Sequence, residues 1–186
     1  MARNTVRDAL DVLESRNVIR RRAGSGSFVT YRSGAPSNQS TNTLASDTSP
    51  LDYLVVRSIL EPEMVRLAVI NMTPRMIKDM SEILSKIEDV QTDVDRFCEL
   101  EEMLYQQMAS GTGNPLLATC YQFAIDSYRQ NSRSNLVRRN LTPKRIQQYQ
   151  KSYNTLLNAI ISRDVASAVE LVKLNLVEEQ KLLLQD

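Results

Sequence analysis

Arginine is concentrated at one end of this chain. Residues 1–32 hold seven of the 23 Lys and Arg residues but only three of the 22 acidic ones (Asp8, Asp11 and Glu14), a local charge of +4. The remaining residues sum to −3, so the overall +1 conceals a segregation. A basic end on a mildly acidic body points to contact with nucleic acid, an ordinary charged helix being the alternative. Histidine is absent. A Ser/His/Asp triad is therefore excluded, and a metal site would have to use carboxylate, cysteine, amide or tyrosine donors. Cys98 and Cys120 form no CxxC pair, which speaks against zinc. Residues 1–22 lack the apolar run and small-residue site of an export signal. Both thiols are thus expected to be free, in the cytoplasm, with a disulfide between them as the alternative. Neither a phosphate-binding glycine loop nor an acidic pair at recognisable spacing occurs, so an enzyme has little support.

The elements that position these residues follow from periodicity. With 186 residues, 42% of them hydrophobic, the chain is globular and can bury a core. No apolar run approaches the ~18 residues of a membrane span. Three regions separate by composition: residues 1–31, a polar linker over 32–48 rich in Ser, Thr and Asn, and a helical region over 49–186. In the first, Val6, Ala9, Leu10 and Leu13 mark one face of a short helix. Two short strands follow around Arg20-Arg21-Arg22 and Ser27-Phe28-Val29, joined by a Gly-containing turn that predicts a β-hairpin. The third region reads as six helices. Capping residues precede proline at Ser49-Pro50, Thr73-Pro74, Asn114-Pro115 and Thr142-Pro143. Apolar stripes are expected at Leu51, Leu54, Val55, Ile59 and Leu60 in the first helix, at Met76 to Ile87 in the second and at Phe97, Leu100, Leu104 and Met108 in the third. The fourth is assigned Leu116, Leu117, Cys120, Phe123 and Ala124, the fifth Ile146 to Ile160 and the sixth Val165 to Leu176. The fold class is mainly all-α, an antiparallel bundle of six to seven helices.

Particular segments resemble a known family. Arg3-Asn-Thr-Val-Arg-Asp-Ala-Leu10, Val18-Ile-Arg-Arg21 and Gly24-Ser-Gly-Ser-Phe-Val29 resemble the recognition helix and wing of a GntR-family winged helix. Val56-Arg-Ser-Ile-Leu-Glu-Pro62, Gly113-Asn-Pro-Leu-Leu117 and Leu157-Asn-Ala-Ile160 resemble landmarks of the FCD effector domain of the FadR subfamily. The resemblance implies a ligand-responsive transcriptional regulator, a repressor and a homodimer, with residues 1–31 as a partial winged helix. In the family two further helices precede the recognition helix. Arg3, Thr5 and Arg7 are then expected to contact operator DNA, with Gly24 or Gly26 approaching the minor groove. Arginine can bond guanine in bidentate fashion, and a recognition helix presents its first residues to base edges. Arg20, Arg21 and Arg22 read as phosphate contacts or as a solvated edge strand. Loss of DNA binding, leaving a helical ligand-sensing or interaction module, is the competing reading.

FCD domains of this kind often hold a divalent metal through an aspartate and three histidines, and the metal grips a small carboxylate. The matching positions here are Glu101, Tyr105, Tyr153 and Asn175, so every histidine is replaced. Helical period turns these four residues inward independently, and Arg57 matches an arginine that often reaches the ligand. Two readings stay open. Arg57, Glu101, Tyr105, Tyr153 and Asn175 line a metal-free pocket for a small polar metabolite, possibly a carboxylate, or they satisfy one another in a closed core. Phenol and amide bind divalent transition metals poorly at neutral pH, so no metal or other cofactor is expected.

Overall fold

The computed structural model describes residues 10–14, 19–22, 26–29, 48–129, 138 and 140–184. The chain divides into two compact units, Met1–Gln39 and Ser40–Asp186. In the first unit residues 10–14 are helical. Strands β1 (Ile19–Arg22) and β2 (Gly26–Val29) pair antiparallel, with Ile19 opposite Val29 and Arg22 opposite Gly26. This is the expected hairpin, and Ile19 is buried. Arg3, Thr5, Arg7 and Gly24 lie outside the described residues, as does the 32–47 stretch of the expected linker.

The second unit comprises, among the described residues, α1 (Pro50–Asn71), α2 (Pro74–Glu88), α3 (Val94–Gly111), α4 (Pro115–Arg129), α5 (Pro143–Ile161) and α6 (Val165–Leu183). Each start has a local cause. Ser49 and Asp52 form a reciprocal capping box on α1. Thr73 and Thr142 accept from the third backbone N–H of α2 and α5, and Asn114 Oδ1 accepts from Leu116 and Leu117 on α4. Proline then occupies the first turn of all four, where its missing N–H matters least. Asp93 and Asp164 cap α3 and α6 in the same way, without a following proline.

Helix α1 packs most extensively on α6 and also meets α3, α4 and α5, while α2 bridges α3 and α5. Gly113, at φ 71°, turns the chain between α3 and α4. Two long side chains close helix C-termini from other elements. Gln150 Nε2 donates to the Ile87 and Val90 carbonyls at 2.8 Å, and Arg163 donates to the carbonyls of Val69 and Met72.

The expected stripes of α2, α3, α5 and α6 face the core. Those of α1 and α4 do so only in part, through Leu54, Leu60 and Leu117. On α1, Leu51, Val55 and Ile59 are exposed, Ile59 by 68%, and the buried line runs through Leu54, Arg57, Glu61, Met64, Val65 and Ala68. On α4, Leu116, Cys120 and Phe123 are exposed, whereas Tyr121 and Ile125 are buried. In both helices the inward face carries polar groups, and apolar periodicity is blind to it.

Candidate functional site

The polar line on α1 begins the site. Tyr53, Arg57 and Glu61 follow one another at intervals of four, so they share a face. Arg57 Nε donates to Glu61 Oε1 at 2.5 Å, and its Nη1 donates to both carboxylate oxygens of Glu179 on α6 at 2.7 Å. The rings of Tyr53 and Tyr105 each lie 5.6 Å from the guanidinium carbon, close enough for cation–π attraction. Tyr121 on α4 donates its hydroxyl to Glu61 Oε1 at 2.7 Å. Glu61 is wholly buried, and its Oε2 has no hydrogen-bond partner among the described residues.

A second carboxyl stands apart from this cluster. Glu101 on α3 accepts a hydrogen bond from the Tyr153 hydroxyl of α5. The Tyr153 ring packs edge-on to Tyr105 with centroids 6.3 Å apart. The Tyr105 side chain is buried. Tyr53 and Tyr128 stack at 4.2 Å, linking α1 to α4.

These groups border a cavity of about 550 Å³, within the range of small-molecule sites. Arg57, Glu101, Tyr105 and Glu179 line it, with Tyr121 and Tyr128 on the α4 side. Two ion pairs stand at its border, Arg129 with Glu102 and Arg138 with Asp95.

Burial sets the protonation states. It opposes the charge of Arg57, but Glu179 and Glu61 outweigh it and hold the guanidinium protonated. Burial raises the Glu61 carboxyl above its ordinary range, with Arg57 and Tyr121 opposing. For Glu101 burial is again the leading cause and pushes the carboxyl up to about 7, partly offset by Arg57 and reinforced by Glu179. Burial also keeps the Tyr105, Tyr121 and Tyr153 phenols neutral, well above their usual range. The Cys98 thiol is pushed up to about 12 by the same effect and is a poor nucleophile.

Four of the five expected effector-site residues therefore meet. Arg57, Glu101 and Tyr105 line the cavity, and Tyr153 reaches it through Glu101. Asn175 does not. It accepts from Ser152 Oγ at 2.8 Å and lines a separate cavity of about 520 Å³ with Arg145, Tyr149 and Glu178. Glu179, one turn further along α6, takes the place at Arg57. Sequence reasoning misses Glu61, Glu179, Tyr53, Tyr121 and Tyr128. The four-residue spacing of Tyr53, Arg57 and Glu61 is a signal that could have found Tyr53 and Glu61. Arg138 also stands at the cavity. Of the expected DNA contacts, Arg20, Arg21 and Arg22 form β1 and Gly26 opens β2.

The four positions that the resemblance matches to metal ligands make a poor donor set. Glu101 is engaged by a phenol, Tyr105 and Tyr153 stay protonated, and Asn175 faces elsewhere. These residues do not fit a divalent ion of the kind that one carboxylate and three imidazoles would hold.

Known proteins place this arrangement. The FCD domain matches residues 52–177. A search of curated proteins returned no match. Among solved structures, a Streptococcus agalactiae GntR aligns with TM-score 0.57 and 18% identity over 97% of this chain and 82% of its own. McbR/YncC of E. coli aligns with TM-score 0.57 and 19% identity over 94% and 83%. A GntR-family transcriptional regulator from Pseudomonas syringae aligns with TM-score 0.58 and 22% identity over 97% and 68%. The matched domain spans α1 through most of α6, the helices that build the cavity, and by that match the chain belongs to the FCD-domain family.

Proposed function

We propose that this protein is a ligand-responsive transcriptional regulator, a repressor whose helical unit senses a small polar molecule without a metal. The observation that carries the reading is the cavity of about 550 Å³ beside Arg57, Glu101 and Tyr105 inside an FCD domain. A closed core would have satisfied these groups among themselves, yet the buried Glu61 Oε2 has no hydrogen-bond partner among the described residues. Occupancy of the cavity stabilises one arrangement of the bundle. In a homodimer that arrangement sets the spacing of two DNA-binding segments on a symmetric operator. Arg3, Thr5 and Arg7 contact bases and nearby phosphates, and Arg20, Arg21 and Arg22 contact the backbone.

Selection from a random pool of DNA duplexes tests this. The expected result is enrichment of a two-fold symmetric sequence by the chain and its loss in Arg3→Ala, Arg7→Ala. Failure to enrich any sequence would refute the DNA-binding half and leave a ligand-sensing module. Thermal unfolding with zinc, nickel and manganese tests the metal-free half. A large saturable stabilisation by any of them would overturn it.

A further inference from the structure

We infer that the molecule sensed in this cavity is a small organic cation bearing N–H groups, an ammonium or guanidinium compound anchored by the Glu101 carboxylate and the Tyr105 hydroxyl. The inference deepens the sensor reading and rests on it.

The charges around the cavity are unevenly paired. Arg57 is bonded to two carboxylates, Glu61 and Glu179. Arg129 is paired with Glu102, and Arg138 with Asp95. Glu99 is paired with Arg96 at 3.1 Å. Among the described residues, each guanidinium lining the cavity is therefore already committed to a carboxylate. Among the described residues, Glu101 has only a neutral phenol as its hydrogen-bond partner. Among the described residues, the inner end sets one arginine against three carboxyl groups, Glu61, Glu179 and Glu101, and so carries net negative charge whenever Glu101 is ionised.

Arg57 Nε is bonded to Glu61 and Nη1 to Glu179, so an anionic ligand would meet the guanidinium only at Nη2, beside the carboxyl groups of Glu61, Glu179 and Glu101. Like charge opposes it there, and drawing Arg57 further toward the ligand would strip the wholly buried Glu61 of its partner, which is strongly unfavourable. A cation disrupts none of these pairs. It adds the counter-charge that Glu101 lacks, and its N–H groups find acceptors in the Glu101 carboxylate and the Tyr105 hydroxyl. The walls agree with this. Tyr105, Tyr121 and Tyr128 line the cavity, and the faces of neutral phenol rings attract cations.

Isothermal titration of the full chain at pH 8 tests the inference. The probes are 1,4-diaminobutane and agmatine as cations, succinate and citrate as anions, and glucose as a neutral polyol. Saturable binding of a cation, weakened about tenfold or more in Glu101→Gln and several-fold in Tyr105→Phe, is expected. Circular dichroism establishes that both variants remain folded. Cation binding that is equally tight in Glu101→Gln would place it elsewhere and overturn the inference. Binding of an anion or of glucose, with no cation bound, would overturn the charge assignment and leave the sensor reading standing. No binding by any of the three classes would count against both.

Discussion

A carboxyl held at the edge of neutrality makes stability depend on pH. Unfolded, Glu101 titrates near ~4.3. Folded, burial moves it to about 7. Between these values the folded state binds the proton more often, so stability falls as pH rises through the window. The contribution is complete below the unfolded value and lost above the folded one. Glu101→Gln removes the ionisation while keeping the shape. Its melting temperature is expected to exceed the parent's at pH 8 by roughly 3–8 °C and to match it near pH 4.5. An equal shift at both pH values in thermal unfolding would contradict this. Arg57 makes the opposite case. It holds two carboxylates, one of them wholly buried, so Arg57→Met alone should lower stability by about 3–5 kcal/mol. Adding Glu61→Met should recover part of that loss in urea unfolding, because the stranded carboxylate is gone. A double variant less stable than the single one would show that Glu61 is held by other means.

Helix ends and helix faces carry different information. Gly111 closes α3 where a Cβ would fall 2.5 Å from Met72 Cγ, and Met72 is itself buried. Gly111→Ala gains helix propensity of ~1 kcal/mol, but the overlap with Met72 outweighs it. A net loss of about 1–2 kcal/mol is expected by denaturant unfolding, and a stabilised variant would contradict the close approach. The starts of α1, α2, α4 and α5 are legible in the sequence because cap-then-proline is a local signal that needs no tertiary partner. The hairpin is legible for the same reason. The phases of α1 and α4 are not. Their buried faces present Arg57, Glu61 and Tyr121, and an apolar count assigns such positions to solvent. The site follows the same division. Arg57, Glu101, Tyr105 and Tyr153 can be named because they lie beside apolar stripes or match a family pattern. Glu61 and Glu179 matter only through Arg57, whose bonds join α1 to α6 across the fold. Asn175 goes astray for a related reason, since one helical turn separates the residue that faces Arg57 from the one that faces Ser152.

At the scale of the whole chain, the proposed function gives the two kinds of DNA contact to different residues. The +4 of residues 1–32 includes Arg20, Arg21 and Arg22, which succeed one another along β1. Successive positions of a strand alternate between its two faces, so on the proposed reading a single DNA-facing side of β1 would offer one or two of these three positions to phosphates. For every phosphate interaction removed, the dependence of log K on log salt should fall by about 0.9. Replacing all three by Ala is thus expected to lower that slope by about 1–2 and to weaken binding uniformly across DNA sequences. Arg3→Ala or Arg7→Ala should behave otherwise. If either guanidinium reads a guanine, its loss costs about 1–3 kcal/mol at the cognate site and relaxes the preference at that base pair. Fluorescence anisotropy across a salt series, on the enriched duplex and on a scrambled one, separates the two classes. A triple variant that loses sequence preference with an unchanged salt slope would move base recognition from the helix to the hairpin. The wing, rather than the segment from Arg3 to Arg7, would then be the reading head.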